Sequence, residues 1–295
     1  MSINGLKDII DAELDHGTLQ YTWRKLPSQV SVNSIWYDLA LAPGNPSPKY
    51  WFDASPLTSQ IVRQSTDGGF YHGGAVSPSK KYLKELYFHV NNTSSASYSN
   101  SGILCDYLLY YPSIDESTTD PQIMVNTNTL TRYTDGKGVQ VMAVNLAART
   151  GGVTFSFSYT NQDGVSGRTS QTARLNAYPS VGNIATCDIA QANQHSPFIG
   201  LQAGDYGVRS IESVTMNTPD VGLFALVLVR PLTRFTGTNN FVSSITSVLV
   251  EQDYLHEFTN LPIIEDDAFL NLLVLPQSTG LNTALYQGSL KLIIN

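Results

Sequence analysis

The sequence predicts a mainly β protein, an antiparallel β-sandwich of jelly-roll type with an N-terminal helix and an extended arm. Three observations predict this class: apolar runs recur from Tyr82 onward, turn-forming polar segments separate them, and no helical spacing interrupts them. Strands and turns in this rhythm are typical of sandwiches. The predicted strands cover residues 82–90, 103–111, 139–147, 153–159, 167–177, 208–217, 222–230, 245–250, 268–275 and 284–294.

The first element is predicted to be a short helix over residues 3–14. Apolar residues recur there at intervals of three and four, at Ile3, Leu6, Ile9, Ile10 and Leu14. A helix this short depends on packing for its stability. Two interpretations stay open, a helix docked on its own domain or an arm docked on a neighbouring protein.

Residues 27–79 are predicted to form an ordered but irregular arm. Proline and glycine are dense there, as in the run PGNPSP at residues 43–48, and they favour turns over helix. The same stretch is rich in aromatic residues, which a disordered linker would lack, namely Trp36, Tyr37, Tyr50, Trp51 and Phe52. The sequence therefore predicts two segments, residues 1–79 as helix and arm and residues 80–295 as the β-sandwich domain.

Three of the predicted strands are followed or closed by a proline. Pro112, Pro231 and Pro276 each come directly after an apolar run rich in Leu, Val, Phe or Tyr. Because proline has no N–H to donate to a neighbouring strand, we expect each strand to stop there.

The composition favours a protein that is packed against other proteins. Only 14% of the residues are charged, below the usual ~25%, and Ser, Thr, Asn and Gln take their place. Uncharged polar groups cost less to desolvate than ions, although an ordinary β protein with a polar surface fits the same composition. The net charge of −7 argues against a nucleic-acid binder, which needs a basic face.

The sequence also predicts where the chain is made. Its first residues lack the basic segment and apolar run of a signal peptide. No apolar run approaches the ~20 residues that span a bilayer. We expect the chain to be made and assembled in a cytoplasm, with no membrane partner.

No residue pattern predicts a catalytic site, a metal or a cofactor. The five histidines have no second His or Cys at metal-ligand spacing. Two acidic groups, residues 265–267 and the set Asp115, Glu116 and Asp120, are more typical of solvated loops than of calcium sites. Residues 164–168 lack the order of a nucleophile elbow. We therefore expect a protein that is not an enzyme.

The cysteine count leaves one question open. Cys105 lies within an apolar strand, where a buried free thiol is expected. A disulfide between Cys105 and Cys187 is the alternative, which spacing alone does not decide.

Several phrases of the sequence together resemble a group of tailed-bacteriophage virion proteins found among head and tail structural components. They describe turns and strands over about residues 35–235. The phrases are DGGFYHGGAVSP at residues 67–78, DYLLYYP at 106–112, RYTDGKGV at 132–139, YTNQDGVSGR at 159–168 and PFIGLQAGD at 197–205.

The resemblance implies a non-enzymatic virion component located in the particle, either a capsid decoration (cement) protein or a minor head protein. A tail or adaptor role, or a receptor- or glycan-binding surface protein, is the alternative. The implied partners are the major capsid protein or other virion proteins, with further copies of the chain in a homo-oligomer. No catalytic motif comes with the resemblance.

We predict that the arm aromatics and the apolar face of the helix form the interface with these partners. The predicted interface residues are Ile3, Leu6, Ile10, Trp36, Tyr37, Tyr50, Trp51 and Phe52. On this hypothesis, deleting residues 1–30 abolishes binding to the particle while the β-domain stays folded.

Overall fold

The computed structural model describes residues 3, 5–29, 35–92, 99–175, 180–185, 196–236, 238–242, 245–253, 261–276 and 284–295. The helices are α1 Leu6–His16, α2 Gln64–Asp67 and a 3-10 turn at Leu39–Leu41. The strands of the N-terminal 80 residues are β1 Leu19–Lys25, β2 Tyr37–Asp38, β3 Gly44–Asn45 and β4 Gln60–Ile61. The remaining strands are β5 Lys81–Asn92, β6 Ser99–Asp115, β7 Gln122–Ile123, β8 Gln140–Asn145, β9 Thr154–Asn161, β10 Arg168–Thr169, β11 Ala173–Arg174, β12 Val208–Met216, β13 Leu223–Thr236, β14 Thr238–Val242, β15 Ile245–Asp253, β16 Ile263–Ile264, β17 Phe269–Pro276 and β18 Ala284–Ile294.

In the described part of the chain these strands form three antiparallel sheets. The N-terminal sheet has the order β14-β15-β5-β18-β1-β3, with β16 beside β5. The central sheet has the order β2-β17-β6-β13-β8, with β4 beside β6. The hairpin sheet has the order β10-β9-β12-β7, with β11 beside β9. The predicted antiparallel β-sandwich with an N-terminal helix is confirmed, and a third sheet is added to it.

The central sheet contributes to all three hydrophobic cores, because its two longest strands, β6 and β13, bury side chains on both faces. In β13, Phe224, Leu226 and Leu228 pack in the core beneath the hairpin sheet, while the intervening residues pack beneath the arm. Farther along the same strand, Phe235 joins the core beneath the N-terminal sheet. Because successive side chains point to opposite faces, the single strand β13 contributes side chains to all three cores.

Two of the three prolines do not end their strands. Pro112 lies within β6 and Pro231 within β13, and each sits where the pairing of these two strands shifts register. Pro112 has no register partner in β13, so its missing N–H costs no ladder hydrogen bond there. Pro231 is in register with Cys105 beside such a shift, beyond Val229, the last residue of β13 that pairs with β8, so one side of β13 is an open edge there in the described structure. Pro276 does close β17 as expected.

The N-terminal helix is confirmed as Leu6–His16 and is followed directly by a strand that the sequence analysis missed. Ile9 and Ala12 are the buried residues of the helix. Gly17, with φ of 72°, turns the chain into β1, which pairs along its whole length with β18 and at its end with β3. Trp23 of β1 is a core residue. The expectation that residues 1–30 can be deleted without unfolding the β-domain is therefore wrong.

The arm is irregular, as predicted, and is bound to the central sheet by short strands. Its strand β2 pairs with β17, and β4 pairs with β6. The arm covers the face of the central sheet that the other two sheets leave open. The first 79 residues thus contribute strands to sheets that are built mainly by the rest of the chain.

Candidate interaction surfaces

The eight predicted interface residues divide into two equal sets. Four are core residues of this chain, with exposed fractions of 9% for Ile3, 6% for Trp36, 1% for Tyr37 and 0% for Trp51. The other four keep about half of their surface exposed, with fractions of 50% for Leu6, 47% for Ile10, 48% for Tyr50 and 48% for Phe52. The structure thus narrows the predicted interface to this second set, because only these side chains are available to a partner.

Trp51 shows why the first set is buried. Its ring stacks on Tyr107 of β6 at 5.4 Å between centroids and meets Phe269 of β17 at 6.2 Å. Its Nε1 donates to Asp38 Oδ2 at 2.7 Å. An aromatic ring with a satisfied polar tip is a strong anchor. Trp51 therefore fixes the arm to its own central sheet.

Asp38 is the polar centre of this anchor. It is fully buried, and besides Trp51 it accepts hydrogen bonds from the Tyr107 hydroxyl at 2.7 Å and from the Ala40 amide at 3.0 Å. Burial raises the pKa of Asp38 to about 6, although the three donors oppose the rise. The charge of Lys25, whose own pKa burial lowers to about 8, also favours the carboxylate.

A second buried cluster, the ion pair of Asp106 and Arg132, lies on β6. Both oxygens of the fully buried Asp106 accept from Arg132, each at 2.8 Å, and the Phe269 amide donates to Oδ1 at 3.1 Å. Arg132 Nη2 also donates to the carbonyls of Val62 and Tyr107. Burial raises the pKa of Asp106 to about 6, against the effect of Arg132. The pair ties the arm, β6 and β17 together.

A third buried cluster joins the start of β5 to the segment before β17. His72 Nε2 donates to the Ala268 carbonyl at 2.8 Å, so its Nδ1 accepts from Lys81 Nζ at 2.9 Å. Burial lowers the pKa of His72 to about 4. Lys81 also faces Asp266 at 3.3 Å. The imidazole is therefore neutral and acts as a hydrogen-bonded spacer.

Glu116 forms the fourth cluster, at the end of β6. It is fully buried, and its Oε1 lies 2.8 Å from Arg149 Nη2. Burial raises the pKa of Glu116 to about 7, against the attraction of Arg149 and together with the repulsion of Asp220 and Asp115. All these buried carboxylates are closed off from solvent, so none of them can contact a substrate in this structure.

The acidic group at residues 265–267, which was considered as a calcium site, holds loops together. Asp266 accepts from the amides of Val76 and Ser77, and Asp267 accepts from the amide and hydroxyl of Ser65. Across the described residues, no group of three or more His, Cys, Asp or Glu side chains is placed to hold a metal ion. Cys105 is a buried free thiol. Its alternative disulfide partner, Cys187, lies outside the described residues.

The exposed side of α1 carries an apolar stripe. Leu6, Ile10 and Leu14 are four residues apart and are exposed by 50%, 47% and 79%. Ile9 and Ala12 bury the other side of the helix, and Glu13 is held by Lys84. The stripe is therefore held in place by a docked helix and has no partner within the described chain.

Comparisons with known proteins assign no family. No protein-family profile matches the chain, and no curated protein matches it. A solved structure described as "Structure of infectious bursal disease virus Gx strain" aligns over 94% of this chain and 80% of that chain, at 10% identity and a TM-score of 0.17. A TM-score this low carries no argument about fold or function. Among the helices of the described residues, none has the length and apolarity to cross a bilayer.

Proposed function

We propose that this chain is a non-enzymatic structural component of a tailed-bacteriophage virion. In this role it binds the major capsid protein as a capsid decoration or minor head protein, in several copies, and reinforces the shell. The sequence phrases that resemble phage virion proteins support the setting. The observation that carries the proposal is the exposed apolar stripe Leu6, Ile10 and Leu14 on a docked helix.

The apolar stripe is better suited to burial against a protein than to exposure to solvent. Its three side chains are long aliphatic groups on a helix that Ile9 and Ala12 already anchor. Little ordering entropy remains to be lost when such a helix binds a partner. An amphipathic helix that places a stripe at i, i+4 and i+8 fits into an apolar groove.

The charge of α1 indicates the charge expected around the partner's groove. The helix sequence LKDIIDAELDH has four acidic residues and one lysine. Lys7 and Lys84 are the lysines paired with this helix, so by count the helix with these two partners has two more acidic side chains than lysines. We therefore propose a capsid surface with an apolar groove and a basic rim, which would also orient the helix.

The buried clusters support a scaffold role over catalysis. Asp38, Asp106, Glu116 and His72 are all fully buried and are bound to groups of the chain itself. Charged groups of this kind fix which strands and loops meet, because leaving one of them unpaired is costly. They provide rigidity, which a shell-reinforcing protein needs.

The test replaces the stripe without disturbing the core. The triple variant Leu6→Ser, Ile10→Ser, Leu14→Ser is compared with the control Val165→Ser, Val221→Ser, whose valines are 50% and 64% exposed on other parts of the chain. Binding to shells assembled from the major capsid protein is measured by co-sedimentation across a concentration series, and far-UV circular dichroism checks folding.

We expect the triple variant to bind about a hundredfold more weakly, since burying the exposed parts of these three aliphatic side chains contributes about 3 kcal/mol. The control should bind like the wild type. If the wild-type chain does not sediment with shells, or if the triple variant binds with unchanged affinity, the proposed function is wrong.

A further inference from the structure

The outward face of the N-terminal sheet forms a polar groove that the proposed shell contact does not use. Side chains two residues apart on three neighbouring strands share this face. In one row, Thr22 of β1 is in register with Ser289 of β18, which is in register with Tyr87 of β5. Gln20 and Arg24 flank Thr22, and the groove encloses about 600 Å³. This volume lies within the range of small-molecule sites.

The polar groups of this groove are not engaged with one another. Within the described part of the chain, the side chains of Gln20, Thr22, Arg24, Tyr87 and Ser289 make no hydrogen bond or ion pair. Five uncommitted donors and acceptors thus converge on one concave surface.

The floor of the groove separates it from the core. Trp23 alternates with Thr22 and Arg24 along β1, so its side chain lies on the opposite face of the sheet, where it stacks on Phe70 at 4.5 Å. Gly288 is in register with Trp23, and a Cβ there would lie 2.6 Å from the indole Cζ2. The glycine thus leaves room for the indole beneath the sheet, and the side chains of the outward face alone are available to a ligand in the groove.

We propose that this groove binds a saccharide that carries a carboxylate. Sugar hydroxyls both donate and accept, which matches the amides and hydroxyls of Gln20, Thr22, Gln287 and Ser289. Tyr87 supplies an aromatic surface against which a sugar ring packs. The lining lacks the aliphatic pockets that anchor a peptide.

Arg24 is the residue that would bind the carboxylate of the saccharide. Lys291, the other cation of the groove, is paired with Glu85 at 2.6 Å, so Arg24 carries the uncompensated positive charge. The chain as a whole has a net charge of −7, so this positive site is a local exception. A guanidinium binds a carboxylate through two parallel hydrogen bonds. One acidic unit at Arg24 therefore fixes the position of the saccharide in the groove.

The test uses the full chain and an array of oligosaccharides containing uronic or sialic acids, each printed beside its neutral counterpart. The members that bind are then titrated in solution by calorimetry. The variants are Arg24→Gln and Tyr87→Ala, and the control is Arg234→Gln, an exposed arginine on the central sheet that does not line the groove.

We expect acidic members to bind and their neutral counterparts to bind at least tenfold more weakly. Arg24→Gln should weaken binding of the acidic members by about tenfold or more, the effect of losing a charge-assisted hydrogen bond. Tyr87→Ala should weaken it as well, and Arg234→Gln should leave it unchanged. Three results would each overturn the proposal: no member binds, neutral and acidic members bind equally, or Arg24→Gln binds like the wild type. None of them bears on binding to capsid shells, which uses the helix.

Discussion

Two buried tryptophans allow a direct measurement of what anchors the arm. Trp51 and Trp23 are both almost fully buried, and both stack on an aromatic ring, Tyr107 for the first and Phe70 for the second. They differ in the indole nitrogen. Trp51 Nε1 donates to Asp38 at 2.7 Å, whereas Trp23 Nε1 has no hydrogen-bond partner among the described residues. Replacing each by phenylalanine removes a similar volume but only one hydrogen bond.

The difference between Trp51→Phe and Trp23→Phe isolates that hydrogen bond. At pH 8, Asp38 is a carboxylate, and a hydrogen bond to a charged group contributes about 1.5–3 kcal/mol. We therefore expect Trp51→Phe to be the less stable of the two by this amount. With an m-value of about 3 kcal/mol per M of urea, the two unfolding midpoints should differ by roughly 0.7 M. Urea titrations followed by far-UV circular dichroism measure this difference.

The pH dependence provides a second check. Burial raises the pKa of Asp38 to about 6, and the Trp51 donor works against that rise. Removing the donor raises the pKa further, so the variant loses stability relative to the wild type as pH rises through 6. At pH 5, where Asp38 is protonated, the gap between the two variants should shrink by about 1 kcal/mol. Equal midpoints for both variants at both pH values would refute the anchoring role of this hydrogen bond.

Two further predictions concern the other buried charges. Arg132→Met leaves Asp106 buried without its cation and should lower the free energy of unfolding by about 3–5 kcal/mol. The control is Lys137→Met, which removes an exposed ion pair and should lower it by at most about 1 kcal/mol. Equal urea midpoints for the two variants would contradict this prediction. Glu116, with a pKa raised to about 7, contributes stability below its unfolded pKa and loses it as pH rises through 7. Relative to the wild type, Glu116→Gln should therefore gain about 2–3 kcal/mol from pH 5 to pH 8, measured by urea unfolding at both values; a constant difference would show that the carboxyl is ionised throughout.

The strands of the β-sandwich could be predicted from the sequence because each has apolar residues at period two or in a continuous run. Residues 153–159 predict β9 almost to its ends, Thr154–Asn161. The same signal was present in β1, where Leu19, Tyr21 and Trp23 alternate with polar residues, and the alternation predicts a strand. It was missed because the segment lies between a helix and a Pro-rich arm.

Local sequence could not predict whether the prolines end their strands or which of the arm aromatics are buried. Whether Pro112 ends a strand depends on the partner strand β13, more than a hundred residues later in the chain, since a bulge there removes the need for its N–H. Likewise, Trp51 and Phe52 are neighbours with the same apolar character, yet one is a core residue and the other is half exposed. Only the position of β6 and β17 beneath the arm decides between them.

The distribution of charge connects the fold to the proposed role. The sequence has few charged residues, and several of them, including Lys25, Asp38, Lys81, Asp106 and Glu116, are fully buried in ion pairs or hydrogen bonds. The surface is therefore even less charged than the composition indicates. Because exposed ions are costly to desolvate, moving charge to the interior lowers the cost of covering the surface with other proteins. The same buried charges fix the register of the arm and sheets, so one arrangement of the chain gives both rigidity and a surface that suits close packing in a shell.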